Sequence, residues 1–195
     1  MRPLTVGLFA EGKSDLHFLG GVLDRQLTEL SFSGGGFDFT GVLRARVSTV
    51  SAASRLDPAV IEASGACNLV LVHHDHNEAA KIDALRERLA PADLTCGRIM
   101  GVVPVRETEA WMLADRRALE AVRGTRLDGV PGSAAELERL ADPKAVLRAA
   151  RDGDVDDELF QRLGDTVDLD RLTELPAYQN FLQDLTTALK ELNFR

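Results

Sequence analysis

Short apolar runs alternate with longer amphipathic segments along the first part of the chain, and this alternation limits the folds that the chain can adopt. Residues 4–10, 68–72 and 98–105 are apolar runs rich in β-forming residues, and residues 37–47 contain a further run of mixed pattern. Such short apolar runs, bounded by turn signals, are typical of buried strands. Because helical segments separate them, we expect parallel strands joined by crossover helices. The sequence predicts an α/β fold with a mostly parallel sheet and helices on both faces.

The predicted helices follow from apolar residues that recur at steps of three and four. Ser14 is the expected N-cap of a first helix, whose apolar face is formed by Leu16, Leu19, Leu23, Leu27 and Leu30. A short helix is expected to begin at Asp57-Pro58 and end near Ala63. A third helix carries Ile82, Leu85 and Leu89, and a fourth carries Trp111 in the core and runs to about Arg123.

The pattern changes after Gly124, where glycine, proline and serine interrupt the sequence. Helical segments follow near 143–151, 155–163 and 176–192, and the Asp142-Pro143 and Leu175-Pro176 pairs are helix-start signals. We therefore predict an α/β domain over residues 1–125 and a C-terminal helical appendage, residues 126–195, that packs on it.

Composition and charge restrict the function. The 195 residues carry a formal net charge of −8, whereas proteins that bind nucleic acid through their own surface usually carry a basic patch. A role on nucleic acid would therefore depend on a local basic strip, bound metal ions or a basic partner. Two cysteines form no disulfide framework, and no apolar run approaches the roughly 18 residues of a membrane helix. We expect a cytoplasmic protein without a membrane partner.

Three acidic residues, Glu11, Asp75 and Glu109, each follow a predicted buried strand. Because parallel strands present their carboxyl ends at one edge of the sheet, these side chains are expected to converge there. Converging carboxylates repel one another unless a cation neutralises them, and oxygen ligands suit Mg²⁺ or Mn²⁺. The pattern favours metal-assisted phosphoryl transfer. Helix capping is the alternative role for each acid taken alone.

Several pieces of the sequence together resemble an uncharacterised bacterial family with a TOPRIM-like domain. They are EGKSD at 11–15, HHDHN at 73–77, VPVRETEAWML at 103–113, DPKAVL at 142–147 and LPAYQNFLQDL at 175–185. The family is similar in outline to the TOPRIM parts of OLD-type nucleases and often accompanies ATPases in defence-type operons. The resemblance covers nearly the whole chain and implies a nuclease that acts with an ATPase partner in phage defence.

The resemblance also assigns residues to the metal site. Glu11 matches the TOPRIM glutamate, and Asp75-His76-Asn77 matches the later Asp-x-Asp motif with an asparagine in the second position. An alternative alignment places His73 and Asp75 in these two positions. The implied metal ligands are Glu11, Asp75, Asn77 and Glu109. Glu109 is favoured over Glu107, which in a regular helix would point about 200° away from it.

Basic and imidazole side chains surround these acids. Lys13 and Arg106 are placed to contact a phosphate, with solvent exposure and structural ion pairing as their respective alternatives. His73, His74 and His76 suggest a transition-metal site, but adjacent side chains of a strand or turn point to opposite sides. A histidine that supplements an Mg²⁺ or Mn²⁺ site, or acts as a general base, is favoured over zinc binding.

Three functions are compatible with these residues. The first is a metal-dependent nuclease or nicking subunit with Glu11, Asp75 and Glu109 as its catalytic acids. The second is a non-catalytic TOPRIM-like interaction module of an ATPase complex, which the net acidity and Asn77 would suit. The third is a small-molecule phosphohydrolase or nucleotidyltransferase that uses the same metal site.

Overall fold

A computed structural model of the chain describes residues 2–10, 12–34, 36–46, 53–76, 78–92 and 98–194. The strands are β1 (Arg2–Ala10), β2 (Phe37–Arg46), β3 (Leu69–His73) and β4 (Arg98–Val102). The helices between the strands are α1 (Lys13–Phe32), α2 (Ala53–Ser64) and α3 (Ala79–Leu89). The helices after β4 are α4 (Glu109–Met112), α5 (Arg116–Glu120), α6 (Ala134–Arg139), α7 (Pro143–Ala150), α8 (Asp157–Thr166), α9 (Leu169–Thr173) and α10 (Pro176–Glu191).

The four strands form one parallel sheet in the order β2-β1-β3-β4. Two apolar clusters cover its faces. One joins alternate strand residues such as Leu8 and Leu71 to α1 and the C-terminal helices, and the other joins Val70 and Val72 to α2 and α3. The predicted α/β class, with a mostly parallel sheet and helices on both faces, is confirmed.

The C-terminal helices pack on the α1 side of the sheet within the same apolar cluster as the strands. Helices α1 and α8 cross closely because small residues meet at the crossing. A Cβ atom added to Gly164 would lie 2.5 Å from the backbone oxygen of Phe18, and one added to Gly21 would lie 2.7 Å from the carbonyl carbon of Gly164. The tail is therefore packed on the helix that begins next to the carboxyl end of β1. The boundary between residues 125 and 126 stays a prediction.

Several predicted boundaries were wrong. Helix α1 begins at Lys13, and its N-cap is Gly12, whose backbone is extended, so Ser14 lies inside the helix. Helix α2 begins at Ala53 and contains Pro58 in its interior. The buried Leu56 precedes this proline, so its packing against the sheet favours helix on the N-terminal side as well.

The predicted strand over 98–105 ends at Val102, shortly before Pro104, which lacks the N–H that a ladder requires. The predicted helix to Arg123 is divided into α4 and α5 at Asp115. The Asp115 carboxylate accepts hydrogen bonds from the backbone N–H groups of Arg117 and Ala118, and it thereby starts a new helix. The Asp142-Pro143 and Leu175-Pro176 starts are confirmed as the beginnings of α7 and α10.

Candidate functional site

The sheet reverses its winding direction between β1 and β3, since the connection from β1 leads to β2 on one side and that from β3 leads to β4 on the other. Ligand sites of open α/β sheets lie outside the carboxyl ends of the strands at such a point. A pocket of about 310 Å³ opens there, and most of its lining is charged or imidazole-bearing. Its lining includes Asp15 from α1, His73 and Asp75 from the end of β3, and Lys144 from α7.

His73 is the buried centre of this pocket. It is the last residue of β3 and is 2% exposed. Its Nε2 atom lies 2.8 Å from Thr108 Oγ1 and 3.3 Å from Asp75 Oδ1, while Nδ1 lies 4.0 Å from Asp15 Oδ2. The imidazole therefore joins three elements of the site, because Asp15 belongs to α1 and Thr108 is the N-cap of α4.

Two opposing effects act on the proton of His73. Burial alone would lower the pKa of His73, but the neighbouring carboxylates of Asp75, Asp15 and Glu109 raise it above its usual value overall. Conversely, burial would raise the pKa of Asp75, and the His73 imidazole and the Thr108 backbone N–H outweigh this and lower it. The pair is thus stabilised as an imidazolium and a carboxylate. Asp75 Oδ1 is buried and makes no hydrogen bond to a described residue, since its contact with His73 lacks the geometry of one.

Gly12 allows Asp15 to reach this pocket. A Cβ atom at position 12 would lie 2.4 Å from Asp15 Oδ2, so a side chain there would displace the carboxylate. Asp15 itself is 7% exposed and belongs to the first turn of α1, where a negative charge is favoured by the helix dipole. The turn after β1 therefore places a buried acid against β3.

Glu109 is held by the tail. It is the first residue of α4 and is 2% exposed, and its Oε1 lies 3.5 Å from Lys144 Nζ. Burial raises the pKa of Glu109, Lys144 opposes that effect, and Asp15 and Glu107 add to it. Burial would lower the pKa of Lys144, but Glu109 and Glu107 raise it overall. The Lys144 backbone N–H also donates to Glu107 Oε2 at 3.1 Å, so the first turn of α7 is fixed to the segment before α4.

The predicted phosphate contacts lie at the surface. Lys13 is 60% exposed at its side chain and lies 3.8 Å from Asp157 Oδ2 at the start of α8. Arg106 is exposed, and within the described ranges no carboxylate pairs with its guanidinium. Its backbone oxygen accepts a 2.5 Å hydrogen bond from the His76 N–H. Both cations are exposed to solvent, whereas Lys144 reaches the buried acid.

The remaining two histidines differ in their surroundings. His74 is 6% exposed, and burial, with Lys81 and His73 as further causes, lowers its pKa to about 4. His76 has a φ of 60°, in the left-handed region, which few residues other than glycine adopt without cost. Its hydrogen bond to Arg106 joins the turn after β3 to the loop after β4. This strained residue therefore closes one side of the pocket.

The chemistry of the donors suits a hard divalent cation. Asp15, Asp75 and Glu109 supply carboxylates at one sheet edge, and Asp75 Oδ1 is a buried oxygen that no described residue hydrogen-bonds. Glu11 and Asn77 lie outside the described residues. Within the described part of the chain, no three His, Cys, Asp or Glu side chains are arranged to hold one ion. The described side chains alone therefore do not form a complete ligand set for Mg²⁺ or Mn²⁺.

The sequence pattern does not identify three residues that line the pocket or contact its lining. Asp15 belongs to the EGKSD segment at 11–15, but no strand end precedes it directly, so the pattern of acids after strands does not include it. Lys144 follows a helix-start signal and carried no functional hint of its own. Thr108, which is fully buried against His73, looked like an ordinary residue before a helix.

Fold and site together define an α/β protein with an acidic and imidazole-bearing pocket at the switch point of a parallel sheet. Comparisons with protein-family models, with curated proteins and with solved structures each find no significant match. None of the helices in the described part of the chain is long and apolar enough to cross a membrane.

Proposed function

We propose that the chain is a metal-dependent phosphoryl-transfer protein, in the first instance a nuclease or nicking subunit. The observation that carries the proposal is the position of Asp75 at the switch point beside His73, where one of its carboxylate oxygens is buried and makes no hydrogen bond to a described residue. Neighbouring carboxylates repel one another unless a cation neutralises them, and the lining of the pocket is charged and not apolar. Both properties suit a phosphate substrate better than an apolar ligand.

In this proposal Asp75, Glu109 and Glu11 hold Mg²⁺ or Mn²⁺, with Asn77 as a neutral ligand. When bound, the ion would supply Lewis-acid activation of a phosphate oxygen. His73 positions the Asp75 carboxylate, because His73 Nε2 lies 3.3 Å from Asp75 Oδ1 and the raised pKa of His73 favours its cationic form. Lys13 and Arg106, both exposed, would bind flanking phosphates of a polymer. Nucleic acid would then be held by the ion and by these cations, in spite of the net charge of −8.

Metal binding is tested first, by calorimetric titration of the purified chain with Mn²⁺. We expect binding to the wild type, and its loss in Asp75→Asn and Glu11→Gln. Asp83→Asn is the matched control, since Asp83 is exposed on α3 and pairs only with Arg86 in the described structure. Equal affinity in Asp75→Asn and Asp83→Asn would contradict the assigned site.

Cleavage is tested with the same variants on supercoiled plasmid, single-stranded DNA, RNA and a panel of nucleotides. Metal-dependent cutting of a polymer that is lost in Asp75→Asn supports the nuclease. Turnover of nucleotides without polymer cleavage would instead support a small-molecule phosphohydrolase or nucleotidyltransferase at the same site.

One observation favours a second function, a non-catalytic interaction module. Lys144 already lies 3.5 Å from Glu109, so one of the three carboxylates has a cation without any metal. On this proposal the pocket is a structural remnant, and an ATPase partner, which the family resemblance implies, does the chemistry. The module is favoured if the wild type neither binds Mn²⁺ nor cleaves any substrate, yet forms a stable complex with an ATPase encoded beside it.

A further inference from the structure

A second cavity, lined by other residues than the carboxylate pocket, lies along the β4 edge of the sheet. Strand β4 is the last strand in the order β2-β1-β3-β4, so its outer side has no neighbouring strand in the described sheet. A groove of about 400 Å³ runs along this side between α3 and the first half of α10. Its apolar lining comes from Ile82, Val103, Val105 and Phe181, with Gly101 of β4 beside them.

The backbone of β4 has hydrogen-bonding groups that point into this groove. In a parallel ladder, alternate residues direct their backbone groups to opposite sides. The Val102 oxygen accepts from the His74 N–H on the β3 side, whereas the Ile99 oxygen accepts from Arg86 on the outer side. Gly101 and Val103 share the outward direction of Ile99, and no other described element pairs with their outward backbone groups.

Arg86 already blocks part of this edge. Its Nε and Nη2 atoms donate to the Ile99 oxygen at 2.9 and 2.8 Å, and Nη1 donates to Asp83 at 2.8 Å. A charged side chain that caps an edge strand prevents its indiscriminate pairing. The open part of the edge is therefore short and begins at Gly101.

The rim of the groove is acidic. Asp83, Glu138 and Asp184 contribute three carboxylates, and among the described residues of the lining Arg86 is the only cation. Asp83 and Asp184 are exposed, while one oxygen of Glu138 accepts the Ala177 N–H at 2.8 Å. An apolar floor with an anionic rim complements a segment that alternates apolar and basic side chains.

We propose that this groove binds an extended, lysine- or arginine-bearing segment of a partner protein, which adds as a strand to the β4 edge from Gly101 onward. The backbone of the partner segment would pair with the backbone of β4. The apolar side chains of the segment would contact the apolar floor, and its basic side chains would bind the carboxylates of the rim. The acidic rim disfavours nucleic acid at this surface, so the groove is distinct in its ligand class from the carboxylate pocket.

The test uses a short synthetic peptide of alternating valine and lysine, with binding to the full chain measured by fluorescence anisotropy. We expect the double variant Asp83→Lys/Asp184→Lys to weaken binding by about tenfold or more. Glu87→Lys/Glu120→Lys, at two exposed acids outside the groove, changes the net charge equally and is expected to retain binding. Thermal unfolding of all variants checks that each is folded.

A second arm separates strand addition from mere attraction between charges. The same peptide, N-methylated at alternate amides so that it cannot pair with an edge strand, is expected to lose binding. If the wild type does not bind the unmodified peptide, or if both double variants lose binding equally, the groove is not a binding site for this peptide. If methylation on neither set of alternate amides affects binding, or if an alternating valine and glutamate peptide binds as well, strand addition of a basic segment is wrong.

Discussion

Lys144 Nζ lies 3.5 Å from Glu109 Oε1 and so joins the first turn of α7 to the first residue of α4. The lysine side chain is 45% exposed, whereas that of the glutamate is 3% exposed. A half-exposed cation thus compensates a buried carboxylate. The electrostatics of the candidate site therefore depend on a residue of the C-terminal helices.

Replacement of this cation should destabilise the chain. We expect Lys144→Met to lower the free energy of unfolding at pH 7 by about 1–2 kcal/mol, because a buried carboxylate loses its partner and the exposed lysine weakens the pair. Chemical denaturation measures the change. Lys190→Met, at an exposed lysine near the end of α10, is the control and should leave stability nearly unchanged.

The effect of Lys144→Met should also depend on pH. The pKa of Glu109 is raised in the folded chain, so its ionisation costs stability as the pH rises through that folded value. Without Lys144 this cost is larger. The difference in stability between wild type and Lys144→Met should therefore grow from pH 4 to pH 7, and a difference that is constant over this range would contradict the assigned pair.

His74 predicts a loss of stability in acid. Its pKa is lowered to about 4, so the unfolded chain binds this proton more readily than the folded chain, and stability falls as the pH decreases from about 6.5 toward 4. His74→Gln in metal-free buffer should flatten the slope over this range, by up to about 2–3 kcal/mol in total.

Thr108 should be required to hold the His73 imidazole in its observed orientation. Thr108→Val removes the hydroxyl that lies 2.8 Å from His73 Nε2 and keeps the shape of the side chain, so we expect a loss of about 1–2 kcal/mol in unfolding free energy. The His73 ring resonances in nuclear magnetic resonance spectra should shift as well. Thr173→Val, which removes only an exposed local bond to Asp170, should cause a smaller loss and leave those resonances in place.

The crossing of α1 and α8 should not tolerate a methyl group. Gly164→Ala is expected to cost about 1–3 kcal/mol, because its Cβ would lie 2.5 Å from a backbone oxygen of α1. Gly132→Ala is the control, since no atom lies within 4 Å of a Cβ placed there. If thermal unfolding gives the same midpoint for both variants, the two helices are not as close as described.

The sheet could be predicted because buried parallel strands have a distinct pattern. The run at 68–72 has no polar residue after Asn68, and a strand buried on both faces requires this. The short helices were harder to predict, since the start of each is determined by a single N-cap residue. Helix α6 begins at Ala134, and its N-cap is Ser133, whose hydroxyl accepts the Glu136 N–H. This spacing of serine and glutamate is a capping signal that is visible in the sequence.

The candidate site could be predicted only in part. The position of Asp75 in this pocket could be predicted, because Asp75 follows the strand that ends at His73 and parallel strands share one carboxyl edge. The position of Lys144 could not be predicted in this way, since the packing of α7 depends on tertiary contacts and not on a local sequence pattern. The metal-binding roles of Glu11, Asp75, Asn77 and Glu109 stay predictions.

The left-handed backbone of His76, with its φ of 60°, has a consequence for the variation that this position can accept. Glycine, asparagine and aspartate adopt such a conformation at little cost, whereas valine and isoleucine do so only with strain. In a saturation library selected for folded protein, position 76 should therefore be enriched in the first group and depleted in the second. The selection would follow the shape of the turn, whatever chemistry the imidazole performs.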